Sequence, residues 1–63
     1  MAEQGQRHGV IFERRVVGAY AKMSAIDTRT GIEVSVVGPS KASDRDLRQL
    51  ALKKLERVLT NGR

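Results

Sequence analysis

The side chains able to do chemistry are few, and they do not assemble into a catalytic set. Ser24, Ser35, Ser40 and Ser43 each carry a hydroxyl, but a serine nucleophile needs a positioned base. The one histidine, His8, sits in a polar N-terminal stretch, and a lone imidazole makes neither that base nor a metal site. Glu13 and Glu33 fall on one face of the expected sheet, on its two outer strands. Paired carboxylates need a cleft to do acid–base work, and a flat three-stranded sheet offers none. Gly38-Pro39-Ser40-Lys41 lies between a strand and a helix, where phosphate loops occur. It lacks the earlier glycine and the Gly-Lys-Ser/Thr order, and Asp44 and Asp46 would repel a phosphate at that helix start. The expectation is a protein that is not an enzyme, with no catalytic residue, cofactor or metal.

The basic residues carry more weight. Twelve lysines and arginines stand against seven acids, a formal charge of +5, and the isoelectric point is about 10.5. Such a balance suits polyanionic partners, or serves solubility alone. Arg15 and Lys22 are expected to be cross-strand neighbours on the open sheet face, where like charges are mildly destabilising. A pair kept there suggests an anion, and Tyr20 beside it offers a ring for stacking. A second group comprises Lys53, Lys54 and Arg57, with Lys41, Arg45 and Arg48 further up the chain. These nine residues form the candidate polyanion-binding set. Set against it are the ordinary solvation of helix cations, with Glu56 and Asp44 as partial balance, and a single aromatic where stacking platforms use several.

The elements that must position these residues follow from periodicity. Ser43 to Thr60, SDRDLRQLALKKLERVLT, is the one long helical pattern. Ser43 suits the N-cap, with Asp46 three residues on as the return arm of a capping box. Asp44 and Asp46 place negative charge at the positive end of the dipole, Arg57 lies in the last turn, and Asn61-Gly62 is a stop signal. Leu47, Leu50, Ala51, Leu55, Val58 and Leu59 form the apolar stripe, with Leu52 at its edge. The Lys54 stem lies on apolar surface with its ammonium at the rim.

Three apolar-alternating segments precede the helix: Val10–Val17, Tyr20–Asp27 and Ile32–Val37. Gly18-Ala19 suits a type II′ hairpin turn, which pairs Val17 with Tyr20, Arg15 with Lys22, Glu13 with Ser24 and Ile11 with Ile26. Thr28-Arg29-Thr30-Gly31 makes a four-residue loop, with Asp27 bonding the backbone two residues ahead and Gly31 left-handed. Val34 then faces Ala25, and Val36 faces Met23. Val10, Phe12, Val16, Ala21, Met23, Ala25, Ile32, Val34 and Val36 face the helix. Arg14 is the misfit on that face, placed either at the sheet margin or beside a bulge. Gly38-Pro39-Ser40 ends the third strand.

The fold class is therefore α+β: a three-stranded antiparallel β-meander, order 1-2-3, with one C-terminal helix packed on one face. The domain spans 10–60, between a disordered arm at 1–9 and a frayed end at 61–63. A chain this short buries only about 60% of its unfolded surface, so a weak homodimer is a natural alternative to a monomer. The absence of cysteine fits a reducing cytoplasm. No apolar run approaches the roughly 20 residues needed to cross a bilayer, and MAEQGQRHG has no apolar core for a signal peptide. The expected partner is nucleic acid or another protein, not a membrane.

Two resemblances bear on this. Ser24-Ala25-Ile26-Asp27, Thr30-Gly31, Glu33-Val34-Ser35, Val37-Gly38-Pro39 and Ala51-Leu52-Lys53-Lys54-Leu55 resemble a family of small alphaproteobacterial proteins of unknown function. That resemblance spans Phe12 to Leu59 and implies a stand-alone cytoplasmic protein with no assigned activity. The βββα order with a basic helix is also similar to the C-terminal half of double-stranded RNA-binding domains, over Gly38 to Leu55. It implies Lys41, Arg45 and Arg48 as stand-ins for phosphate-contacting cations. The first helix of that domain has no counterpart here, and acids occupy the start of the last helix.

Overall fold

Gly18 opens a two-residue turn with φ of 59°, and the chain on either side pairs residue for residue. The computed structural model of the chain describes residues 6–7 and 9–61. They form β1 (Gln6–Arg7), β2 (Val10–Val17), β3 (Tyr20–Asp27), β4 (Glu33–Pro39) and α1 (Asp44–Asn61). The strands make one antiparallel sheet in the order β1-β2-β3-β4. The meander of β2, β3 and β4 with α1 on one face is the expected fold. Its register is also as expected: Arg15 opposite Lys22, Glu13 opposite Ser24 and Val17 opposite Tyr20, with Val34 opposite Ala25 and Val36 opposite Met23.

The expected arm differs at Gln6 and Arg7, which pair with Ile11 and Val10 to add a short edge strand. Gly9, with φ of 89°, supplies the left-handed turn that makes this pairing reachable. Its carbonyl then accepts from both the Thr28 N–H and the Thr28 hydroxyl, each at 2.7 Å. The rest of the arm, His8 included, and Gly62-Arg63 lie outside the described residues.

β4 begins at Glu33 and continues through Pro39 rather than stopping at Val37. Ser40 N–H donates to the Ala19 carbonyl at 2.8 Å, so strand alternation turns the Pro39 nitrogen to the outer edge. A proline costs no ladder hydrogen bond there. Asp27, buried at the end of β3, closes the loop to β4. Its carboxylate accepts from the Thr30 N–H at 3.0 Å and the Thr30 hydroxyl at 2.7 Å, three residues ahead rather than two. Gly31, with φ of 79°, donates to the Asp27 carbonyl.

The helix lies over β3 and β4. Phe12, Ala21, Met23, Ala25, Leu47, Ala51 and Leu55 form the centre of the core, with Val10 and Val34 at its edge. The two alanines of β3 let the helix come close, and Gly38 meets Leu47 so tightly that a Cβ there would sit 3.0 Å from Leu47 Cδ2. Because α1 leaves β2 partly uncovered, Val16 is 54% exposed rather than part of the core. The helical stripe is also narrower than expected: Leu47, Ala51 and Leu55 face the sheet, Leu52 and Val58 flank them, and Leu50 and Leu59 face solvent. Ser43 caps the helix through Asp46 N–H at 3.1 Å. Among the described residues Asp46 makes no return bond to Ser43, its carboxylate being a methylene shorter than that of glutamate. Helical structure reaches Asn61, which places Arg57 one turn before the end.

Arg14 needs no bulge. It stays in register opposite Met23 and reaches across the sheet to the start of the helix. Its Nη1 donates to Asp44 Oδ1 at 2.6 Å, and its Nη2 to the carbonyls of Ser40 at 3.0 Å and Ala42 at 3.2 Å.

Candidate functional site

Alternation along three paired strands decides what the uncovered face of the sheet displays. β2 turns Ile11, Glu13, Arg15 and Val17 outward; β3 turns Tyr20, Lys22, Ser24 and Ile26; β4 turns Glu33, Ser35, Val37 and Pro39. Read across the strands, these form four rows. Ile11, Ile26 and Glu33 make the first, and Glu13, Ser24 and Ser35 the second. Arg15, Lys22 and Val37 make the third, and Val17, Tyr20 and Pro39 the fourth.

The last two rows hold most of the exposed apolar surface of the sheet. Val17 is 66% exposed, Val37 65% and Tyr20 64%. Next to them the floor dips. Ser24 is small and buried, its hydroxyl 3.0 Å from that of Ser35. Glu13, Arg15, Lys22 and Glu33 rise around it to enclose a hollow of about 220 Å³. Two acids and two bases thus share the face, and it carries no net charge although the chain as a whole is strongly basic.

The nine candidate basic and aromatic residues do not come together. Arg15, Tyr20 and Lys22 share the open face as expected, while the other six lie in the helix layer on the far side of the sheet or on its approach. Within that layer two are committed to the fold. Arg48 stacks its guanidinium 5.7 Å from the centre of the Phe12 ring and approaches Asp44 at 3.9 Å. Lys54 donates to the Ser35 carbonyl at 2.9 Å. Lys41, Arg45, Lys53 and Arg57 are exposed. A shallow groove of about 220 Å³ runs between Phe12 and the helix, lined also by Arg45, Arg48, Gln49 and Leu52. Among the described residues no cluster of His, Cys, Asp or Glu is arranged to hold a metal, and no helix is long and apolar enough to cross a membrane.

The nine-residue candidate set omits four residues of this face, Val17, Val37, Glu13 and Glu33. The signal was the register itself: once Gly18-Ala19 sets the pairing, the four rows follow.

Residues 7–62 match the family model described as Domain of unknown function (DUF6898). The chain belongs to that family. That description names no activity for the rows just described. No curated protein and no solved structure matches the chain.

Proposed function

We propose that this DUF6898 chain is a small, non-enzymatic binding module whose working surface is the open face of β2, β3 and β4. The observation that carries it is the continuous exposure of Val17, Tyr20 and Val37 on a regular sheet beside a charged hollow. Three large apolar side chains in contiguous rows, framed by charge, are the composition of an interaction surface. Cytoplasmic location and membership of a group of small alphaproteobacterial proteins belong to the same reading, supported by the absence of cysteine and by the motifs quoted above. A photo-crosslinking residue placed at Tyr20 in living cells, with one at Gln49 on the outer helix face as reference, tests the module. Adducts at position 20 and none at 49 are expected. Equal labelling, or none at either, defeats the assignment.

A second reading, binding of nucleic acid or another polyanion, rests on a different observation. From Lys41 to Arg57 the chain carries six bases against Asp44, Asp46 and Glu56, with Arg45, Lys53 and Arg57 exposed. A ¹⁵N–¹H titration with short single- and double-stranded RNA and DNA at two salt concentrations addresses it. Shifts on Arg45, Lys53 and Arg57 that fade steeply with salt support polyanion binding. A spectrum unmoved at low salt removes it.

A further inference from the structure

We propose that the open face of the sheet is a two-fold interface, and that its occupant is a second copy of this chain. The inference rests on the reading that this face is the working surface, and it names the partner.

The argument begins with β2, whose outward residues Ile11, Glu13, Arg15 and Val17 run apolar, acid, base, apolar. That order is complementary to its own reverse. Place a two-fold axis in the plane between two stacked sheets, running across the strands between the Glu13 and Arg15 rows. β2 then lies over β2 of the partner, with its direction reversed. Glu13 meets the partner's Arg15, Arg15 meets the partner's Glu13, and Ile11 meets the partner's Val17. On β3 the same operation lays Tyr20 over the partner's Ile26 and Lys22 over the partner's Ser24. Each Lys22 ammonium is delivered to the hollow above the buried Ser24, whose rim carries Glu13 and Glu33. One operation covers the exposed apolar end of each copy and pairs the β2 charges, as an isologous interface requires.

An in-plane two-fold along the strands instead sets Lys22 over the partner's Lys22 and pairs none of these charges. The face therefore favours the first of the two aligned packings. Its neutrality also separates it from the rest of the molecule: a polyanion gains nothing from two acids beside two bases, whereas a copy does.

Edge pairing is the competing route to a dimer. Among the described residues β2 has no outer partner beyond Ile11; weakened association of Lys22→Glu, a face residue one strand in from that edge, excludes this route. The β4 edge is blunted. The Pro39 nitrogen carries no donor, and the Lys54 ammonium already occupies the Ser35 carbonyl at 2.9 Å. The size of the face sets the strength. Three strands of about eight residues present roughly 26 by 15 Å. Two such faces with their side-chain relief bury on the order of 1,000 Å², the low end for a specific complex. The dimer is therefore weak and reversible.

Charge exchange on β2 tests it, with sedimentation equilibrium of the full chain from micromolar to millimolar concentration as readout. ¹⁵N–¹H dispersion checks that each variant stays folded. The wild type is expected to move from one chain of 7.0 kDa toward twice that mass. Glu13→Arg alone and Arg15→Glu alone each place like charges across the axis and are expected to weaken association by about tenfold or more. Mixing the two variants in equal amounts restores both opposite-charge contacts, so the mixture is expected to associate about as strongly as the wild type. A wild type that stays monomeric at millimolar concentration overturns the proposal. So does a dimer indifferent to both reversals, which would belong to another surface. The crosslinks at Tyr20 separate this inference from the one it rests on. Adducts of twice the chain mass support a second copy, and adducts of any other mass keep the binding module while removing self-association.

Discussion

Arg14 and Asp44 stand 30 residues apart in the chain, yet Arg14 Nη1 lies 2.6 Å from Asp44 Oδ1. The contact joins the middle of β2 to the first turn of α1. The same guanidinium holds the Ser40 and Ala42 carbonyls, in a turn that otherwise has few backbone partners. Asp44 supplies negative charge to the helix N-terminus, and Arg14 fixes where that charge sits.

Replacing Arg14 should loosen both the turn and the helix start. Arg14→Ala is expected to destabilise by about 2 kcal/mol, since hydrogen bonds to charged groups are worth roughly 1.5–3 kcal/mol each and the site is partly solvated. Arg14→Lys should recover less than half of the loss, because one ammonium cannot span a carboxylate and two carbonyls as a planar fork does. Urea midpoints of the three proteins check this; full rescue by lysine would refute the fork.

The narrow helical stripe separates residues that look alike in sequence. Leu55→Ala removes a fully buried side chain and is expected to cost about 3 kcal/mol. Leu50→Ala, on the solvent side of the same helix, should stay within about 0.5 kcal/mol of wild type. Comparable losses at the two positions in thermal or urea unfolding would mean that the helix is rotated from the orientation described.

Gly38 and Leu47 should behave as a coupled pair. Gly38→Ala forces a Cβ to within 3.0 Å of Leu47 Cδ2, and overpacking of this kind costs about 1–3 kcal/mol. Leu47→Val should cost less in the Gly38→Ala background than in wild type. A double-mutant cycle measures the coupling, and strict additivity would show that the close approach is relieved elsewhere.

The exposed rows of the open face should contribute little to folding. Tyr20→Ser and Val37→Thr are each expected to shift stability by no more than about 0.5 kcal/mol. A large loss in either melting curve would mark these side chains as structural rather than free for binding.

The sheet was readable because its turns are short and chemically explicit. Gly18-Ala19 leaves one register for Arg15 and Lys22, and Asp27 with Gly31 fixes the next strand. The helix was harder. Leu47, Leu50, Leu52, Leu55 and Leu59, with Ala51 and Val58, wrap more than half of its circumference. Which of them is buried depends on the row of the sheet beneath, and periodicity does not contain that information. Val16 was misplaced for the same reason, since its exposure depends on α1 lying toward β4. Arg14 broke the alternation, but its partners lie 26 to 30 residues away, beyond any local pattern. The candidate cations suffered likewise: nothing in the spacing of Arg48 points to the Phe12 ring, or of Lys54 to the Ser35 carbonyl.

The order of elements along the chain has a consequence for synthesis. The strands are made first and the helix last, and Leu47, Ala51 and Leu55 are what cover Phe12 and Met23. Until that final third leaves the ribosome, a nascent sheet would hold its apolar side open to the cell. A meander of tight turns with its apolar side uncovered buries too little surface to persist. The polypeptide should therefore stay unstructured until the helix has emerged and then fold in one step, with the helix docking and the strands pairing as a single event.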